Sequence, residues 1–390
     1  MENIVKQKII YLDNAATTHI DPEVADSMIA CFSRSHELGN PSANNLLGRR
    51  AHAAIELARE QVATLIEADP YEIIWTSGAT ESNNLAILGA ARFRSHRGRH
   101  IITSSTEHKA VIEPFSQLEK EGFCVTKISC DNKGVISLND LEEAITKETQ
   151  LVSIMHVNNE TGVIQNIEAI GNLCRKNDIL FHTDAAQSVG KLSIKLRDLN
   201  IDLLSFTAHK FYGPQGIGGL YIKKRSGCGV LPLFFGGEQQ NARPGTLPLH
   251  QIVGLGVASK LANLRLKDDY LHYKLLHDRL WNSLKNLEGI IRNGSEKFHF
   301  PGILNISIGG IDGESLMLAL EPICVSQGSA CNSKSGESSF VLKALGCSDM
   351  QAHSSIRFSF GRDNTIEDID FAINHYVSSV SKLRSLAPEI

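Results

Sequence analysis

A lysine that follows an apolar stretch is the first candidate for chemistry in this sequence. Residues 203–206 are mainly apolar and are followed by Thr207, Ala208, His209 and Lys210, and then by a segment rich in glycine and proline. A lysine at the end of a buried strand loses hydration, so its amine becomes a usable nucleophile towards an aldehyde. A surface lysine that begins a loop explains this stretch equally well.

Polar side chains also follow three other predicted strands. In chain order the four strand ends carry His108, Asn159, Asp184 with Gln187, and Lys210. In a parallel sheet ligands bind beyond the carboxyl ends of the strands. These side chains are therefore expected to converge on one crevice.

Each of these residues also has an ordinary structural explanation. A buried Asp184 needs a cation or hydrogen-bond donors, and a protonated pyridine nitrogen would serve, but so would the start of the next helix. His108 and His209 suit ring stacking or proton transfer, yet structural histidines are commoner. Asn159 and Gln187 suit a phenolate or a carboxylate, or simply a turn.

Two segments suggest binding sites for anions. Residues 77–81, Ser-Gly-Ala-Thr-Glu, combine a tight turn with a helix start, where backbone N–H groups attract phosphate; an ordinary helix cap is the simpler interpretation. Arg357, on a predicted strand, suits a carboxylate held by two hydrogen bonds, although a surface ion pair is commoner.

Cys331 differs from the other cysteines in its surroundings. It lies among small polar residues near Lys334, which predicts an exposed thiol that is a better nucleophile than Cys31 or Cys124. An incidental loop cysteine is about as good an explanation. The eight cysteines are scattered without a C-x-x-C pair, so we expect neither a disulfide framework nor a zinc site, and we expect most of them to be buried.

The elements that must position these residues alternate between strand and helix. Strands are predicted at the following ranges: 72–76, 100–103, 151–157, 179–183, a run ending at Lys210, and an antiparallel return at 219–222. This predicts an α/β fold with a mixed, mostly parallel sheet. A smaller α+β domain follows, with strands at 303–308 and 355–360 and a terminal amphipathic helix. We assign residues 15–262 to the large domain and residues 1–14 and 263–390 to the small one.

Composition narrows the function classes. The 390 residues are 42% hydrophobic and 21% charged, with a formal net charge of −4 and no sustained basic run, so neither nucleic acid nor a membrane is an expected partner. The first residues lack the apolar run of a signal peptide and no stretch approaches a membrane span, so the cytosol is expected.

Short motifs along almost the whole chain resemble the NifS/IscS-like cysteine desulfurases, pyridoxal-phosphate enzymes of the aspartate-aminotransferase fold (fold type I). The motifs occupy residues 11–18, 39–42, 76–84, 107–111, 156–160, 182–187, 208–210, 243–246, 328–331 and 356–359. Each motif alone is weak, but their number and order are specific.

The resemblance implies a role for each candidate residue. Lys210 would bond the cofactor aldehyde, His108 would stack on the ring and handle protons, and Arg357 with Asn159 would hold the substrate carboxylate. Cys331 would accept sulfur as a persulfide. The remaining cofactor contacts would come from Ala79, Thr80, Thr207 and His209 at the phosphate, Asp184 at the ring nitrogen, Gln187 and Asn159 at the ring oxygen, and Thr246 of the other subunit of a homodimer.

The implied activity converts L-cysteine to L-alanine and delivers sulfur to acceptor proteins for iron–sulfur assembly, tRNA thiolation or DNA sulfur modification. A selenocysteine lyase and a non-catalytic sulfur-transfer scaffold are the alternatives. The sequence departs from the family pattern at Asn44, at Thr207 and at residues 237–241, Gly-Glu-Gln-Gln-Asn, where a loop shape or a partner contact is in question. Residues 334–338 also differ from the residues that are usual in the family, so the sulfur acceptor can differ from the family's usual acceptors.

Overall fold

A seven-stranded sheet forms the larger of two cores in the computed structural model, which describes residues 8–32, 39–236, 239, 242–328 and 338–386. The strands are β2 (Ile73–Thr76), β3 (His100–Ser104), β4 (Cys124–Ile128), β5 (Thr149–Ser153), β6 (Leu180–Asp184), β7 (Leu203–Thr207) and β8 (Gly218–Ile222). Their order is β2-β8-β7-β6-β5-β3-β4. Strands β7, β6, β5, β3 and β4 run parallel, whereas β8 runs antiparallel to both neighbours.

Continuous burial explains why five strands of this sheet read as apolar runs. All residues of β2, β3, β5, β6 and β7 are buried, because helices cover both faces of a mostly parallel sheet. Strand β4 is the exception, since most of it is accessible at the edge of the sheet. For that reason its sequence lacks the apolar run, and it was missing from the predicted strands.

Helices of the larger core precede the strands of this sheet or lie between them along the chain. They are α1 (Pro22–Phe32), α2 (Leu46–Ile66), α3 (Ala79–Phe93), α4 (Lys109–Lys120), α5 (Leu138–Ala144) and α6 (Ile167–Lys176). Helix α3 packs its small and apolar residues, including Ala86 and Ala90, against the sheet. The N-termini of α3 and α4 therefore lie shortly after β2 and β3, at the carboxyl ends of the strands, where the candidate residues were expected.

A second core surrounds two small sheets. An antiparallel sheet contains β9 (Ile290–Arg292), β10 (Ile303–Ile308) and β12 (Ser355–Ser359), and β1 (Ile10–Tyr11) pairs in parallel with β11 (Ile323–Cys324). Its helices are α8 (Gly313–Ala319), α9 (Phe340–Ala344), α10 (Asp349–His353) and α11 (Ile366–Leu386).

One long helix, α7 (Leu249–Leu284), joins the two cores. Its residues up to Ala262 pack in the larger core, and those from Tyr273 onwards pack in the second. The division at residue 262, drawn from the sequence, falls inside this helix and stays a prediction.

Two expectations from the sequence can be compared directly with the structure. The antiparallel return is confirmed by the pairing of β8 with β7. The expectation that most cysteines are buried is wrong for the described residues, where Cys174 is buried but Cys124 and Cys324 are exposed. Cys124 is accessible because it begins the edge strand β4. In the part of the chain that the structure describes, no helix is both long and apolar enough to cross a membrane.

Candidate active site

A cavity of about 450 Å³ lies at the carboxyl ends of the central strands and reaches the second core. Its walls contain ten of the residues singled out from the sequence: Ala79, Thr80, His108, Asn159, Asp184, Gln187, Thr207, His209, Lys210 and Arg357. The expected convergence of strand ends is therefore observed. Arg357 is the member that comes from the second core.

Lys210 ends the short 3₁₀ turn Ala208–Lys210 that follows β7. Its Nζ donates hydrogen bonds of 2.6 Å to the carbonyl oxygens of Ala15 and Ala16, which also line the cavity. These contacts hold the amine at the cavity wall. They also tie β7 to the chain segment that follows β1.

Asp184 is buried at the end of β6 and is surrounded by donors. Its Oδ2 accepts a hydrogen bond of 2.7 Å from Asn83 Nδ2, and its Oδ1 accepts one of 2.9 Å from the backbone N–H of Ala186. Both carboxylate oxygens therefore have a neutral donor. The arrangement keeps a carboxylate on the cavity wall that can still accept from a cationic group of a ligand.

A second carboxyl group, that of Glu107, is completely buried beside this site. Its Oε1 accepts hydrogen bonds from the Met155 N–H at 2.8 Å and from Ser104 Oγ at 3.0 Å, while Oε2 has no partner among the described residues. Burial is the main cause that raises the pKa of Glu107 to about 8, and the charge of Asp184 contributes. Glu107 is therefore mostly neutral at pH 7 and adds little negative charge to the site.

His108 caps the N-terminus of α4. Its Nδ1 accepts a hydrogen bond of 3.1 Å from the Ala110 N–H, so the proton of the neutral ring is on Nε2. Burial is the main cause that lowers the pKa of His108, and Lys210 and Lys109 add to this effect, whereas Asp184 opposes it. The ring is thus neutral near pH 7 and offers an N–H.

The first turn of α3 forms one end of the cavity. Gly78 precedes the helix with a φ of 148° and contributes no side-chain cap, so the first N–H groups of α3 are not capped by it. Thr207 Oγ1 lies beside Gly78, and His209 lines the same cavity. Burial, with Lys210 and Lys191, lowers the pKa of His209 to about 4. A helix start with hydroxyl and imidazole groups around it suits an anion.

Arg357 reaches the cavity from β12. One of its terminal nitrogens donates to the Asn159 carbonyl at 2.9 Å, and the other donates to Asp13 Oδ1 at 2.6 Å. Each of these nitrogens carries a second N–H, because a guanidinium has five donors. Asp13, whose other oxygen accepts from Ser326 at 2.8 Å, holds the group in place.

Gln187 is held at both ends of its amide. Its Nε2 donates to the Ala15 carbonyl at 2.8 Å, and its Oε1 accepts a hydrogen bond of 2.9 Å from Lys191 Nζ. A carbonyl can only accept and a charged lysine can only donate, so the oxygen end of the amide faces Lys191. The nitrogen end faces Ala15, which also lines the cavity.

The remaining sequence-predicted residues lie elsewhere. Thr246 lines a neighbouring cleft of about 290 Å³ that shares Ser77 and Gly216 with the cavity. Cys331 lies outside the described residues, as do four positions of the stretch 237–241. Gln239 is described: its amide pairs with the N–H of Trp75 at 2.8 Å and with the Trp75 carbonyl at 3.2 Å, which covers the edge strand β2.

Sequence reasoning missed several residues that organise the cavity. Asn83, Glu107, Lys191 and Asp13 each act on a candidate residue, but none had been assigned a role. All of them except Lys191 lie in motifs quoted for the family resemblance. A polar residue on the buried face of a predicted helix, as with Asn83 on α3, was the available signal.

Comparison with known proteins agrees with this architecture. A model of the aminotransferase class-V family matches residues 10–371. Cysteine desulfurase IscS of Serratia proteamaculans (strain 568) is 50% identical over 381 residues, which cover 97% of this chain and 94% of that protein.

Two solved structures are also similar. One described as a NifS-like protein has a TM-score of 0.89 and 35% identity, covering 96% of this chain and 100% of that chain. SspA in complex with cysteine has a TM-score of 0.80 and 39% identity, covering 90% and 98%. The likeness confirms the predicted aspartate-aminotransferase-like α/β fold. The chain belongs to the aminotransferase class-V family.

Proposed function

We propose that this protein is a pyridoxal-phosphate-dependent cysteine desulfurase that converts L-cysteine to L-alanine and passes the sulfur to Cys331. The observation that carries the proposal is the single cavity that joins Lys210, Asp184, His108 and Arg357. The similarity of the chain to a protein named cysteine desulfurase supports the same reaction, as does its similarity to SspA, whose structure was solved with cysteine.

The residues present fit the cofactor. Asp184 offers a buried carboxylate to a ring nitrogen, and the start of α3 with Thr80, Thr207 and His209 offers donors to a phosphate. Lys210 offers an amine on the same wall. When bound, pyridoxal phosphate supplies an aldehyde that bonds amines and a ring that stores an electron pair.

The chain's own groups would then divide the work. Arg357 would bind the substrate carboxylate with its second pair of N–H groups, and the Asn159 carbonyl and Asp13 would keep the guanidinium oriented. Lys210 would take the proton from the substrate Cα and return it during product formation. His108, neutral with a proton on Nε2, would donate a proton or a hydrogen bond to the reacting sulfur.

Sulfur transfer would take place at Cys331. Its thiolate attacks the substrate sulfur, the Cβ–S bond breaks, an S–S bond forms, and the carbon keeps the electron pair and takes up a proton. The products are L-alanine and a persulfide, so no external oxidant or reductant is required. The persulfide would then transfer its sulfur to acceptor proteins of iron–sulfur assembly, tRNA thiolation or sulfur modification of DNA.

We also propose a cytosolic homodimer, in which Thr246 completes the phosphate site of the other subunit. Thr246 lines a cleft beside the cavity, not the cavity itself, which suits a contact across subunits. Phe234 and Phe235, just before residue 237, are 60% and 89% exposed, and a partner surface would cover such side chains. Light scattering of the purified protein tests the dimer; a monomer with full cofactor occupancy would exclude this role of Thr246.

Alanine release from L-cysteine tests the activity. The wild-type protein should be yellow and should release alanine, Cys331→Ala should keep the visible band but lose turnover, and Lys210→Ala should lose the band. Full turnover by Cys331→Ala without added thiol would refute the acceptor role. Assaying that variant with L-selenocysteine separates a desulfurase from a selenocysteine lyase, which does not need this thiol.

A further inference from the structure

Lys191 is a buried lysine behind the cavity that the proposed reaction does not use. It follows the turn after β6, is 7% exposed, and its Nζ lies 5.8 Å from the centroid of the Phe300 ring. Its Nζ donates a hydrogen bond of 2.9 Å to Gln187 Oε1. Burying a charged lysine costs free energy unless the charge is paired or its donors make hydrogen bonds.

The charged groups that act on Lys191 are cations. Burial is the main cause that lowers its pKa to about 7, and Lys210 and Arg357 lower it further. The other titratable groups facing it are His209, whose pKa it lowers, and the phenols of Tyr212 and Tyr273 in a small adjoining cavity. Among the described residues that act on Lys191 there is no carboxylate, so an anion bound in the main cavity would raise the pKa of Lys191 and keep it charged.

Lys191 and the Ala15 carbonyl together set the orientation of the Gln187 amide. A charged lysine only donates and a carbonyl only accepts, so the amide oxygen lies on the side of Lys191 and the amide nitrogen on the side of Ala15, which lines the cavity. Without Lys191, only the hydrogen bond to the Ala15 carbonyl would keep the amide from turning its oxygen towards the cavity. An oxygen there would repel an anionic ring oxygen, whereas an N–H stabilises it.

We propose that Lys191 is a positioning residue for the cofactor, which holds Gln187 as a hydrogen-bond donor and places a buried positive charge behind it. This inference rests on the proposed function, since it concerns pyridoxal phosphate in the same cavity. Donor and charge both stabilise a deprotonated ring oxygen. Both would also disfavour a proton on the nitrogen atom through which Lys210 would bond the cofactor.

The test is a pH titration of the visible absorbance of the purified holoenzyme. In Lys191→Met the pH at the midpoint of the absorbance change should rise by roughly one unit. This is the size of shift that a nearby charge produces. Lys191→Arg, which keeps the donors and the charge, should stay near the wild-type midpoint. Lys223→Met is the control, because Lys223 is a partly buried lysine whose hydrogen-bond partner, the Leu199 carbonyl at 3.0 Å, does not line the cavity, whereas Gln187 does.

Three results distinguish the possibilities. An unchanged midpoint in Lys191→Met, with the band present, overturns the inference and leaves the proposed function standing. A wild-type protein that binds no added pyridoxal phosphate overturns both. If Lys191→Met retains no cofactor, Lys191→Gln takes its place, since it keeps an N–H donor without the charge; its midpoint should also rise, and an unchanged midpoint again overturns the inference.

Discussion

Replacing Glu107 with glutamine should make the protein more stable at alkaline pH, relative to the wild type, while leaving its stability at acidic pH nearly unchanged. Burial and the charge of Asp184 raise the pKa of Glu107 from 4.5 to about 8. The folded state therefore binds a proton more tightly than the unfolded state. Stability from this group is fully present below pH 4.5 and is lost as the pH rises to about 8.

The magnitude follows from the width of this window. Each unit of pKa shift corresponds to about 1.4 kcal/mol, so a ceiling of roughly 4–5 kcal/mol of unfolding free energy is lost across the window. In the Glu107→Gln variant the amide would keep an oxygen for the Met155 N–H and Ser104 Oγ and would never ionise. The variant should thus lose this pH dependence without losing its hydrogen bonds.

Urea unfolding of the apoprotein at several values between pH 5 and pH 9 measures the effect. The difference between variant and wild type isolates Glu107, because buried histidines such as His156 and His182, whose pKa values burial lowers, contribute equally to both proteins. The difference should grow as the pH rises and then level off. A constant difference across the range would show that Glu107 does not titrate with a raised pKa, and would refute the reasoning.

Three further predictions concern the cavity. Asn83→Leu removes a 2.7 Å hydrogen bond to Asp184 and should weaken cofactor binding by about 10- to 100-fold, measured by fluorescence titration of the apoprotein; unchanged affinity would show that the bond does not matter. Arg357→Lys should raise the KM for L-cysteine by roughly 30-fold with the visible band intact, and an unaltered KM would exclude Arg357 as the carboxylate ligand. His108→Asn keeps a cap for α4 but loses the ring N–H, so its melting temperature should match the wild type while its kcat falls. His108→Ala loses the cap as well and should be less stable by about 1 kcal/mol. A His108→Asn enzyme with normal kcat would rule out proton donation by His108.

Much of the fold was predictable because the central strands are buried on both faces. Their apolar runs, and the polar residue after each, identified both the sheet and the edge where the cavity lies. The edge strand β4 was not predictable in this way, because it faces solvent and its residues do not need to be apolar.

The contacts that make the site work depended on the tertiary structure. Asn83 and Asp184 are 101 residues apart, and Asp13 and Arg357 are 344 apart, so no local pattern reports that they touch. Similarly, the neutral state of Glu107 arises from complete burial beside Asp184, which periodicity does not measure.

The amino-acid sequence by itself determined which side chains stand at the strand ends, since strand burial and turn chemistry are local properties. It also marked Lys210, Asp184, His108 and Arg357 as candidates. Only the tertiary structure decided which of their atoms are satisfied and which face the cavity. Hydrogen-bond direction and desolvation depend on neighbours brought together by folding, and the Lys191–Gln187 contact is the clearest case.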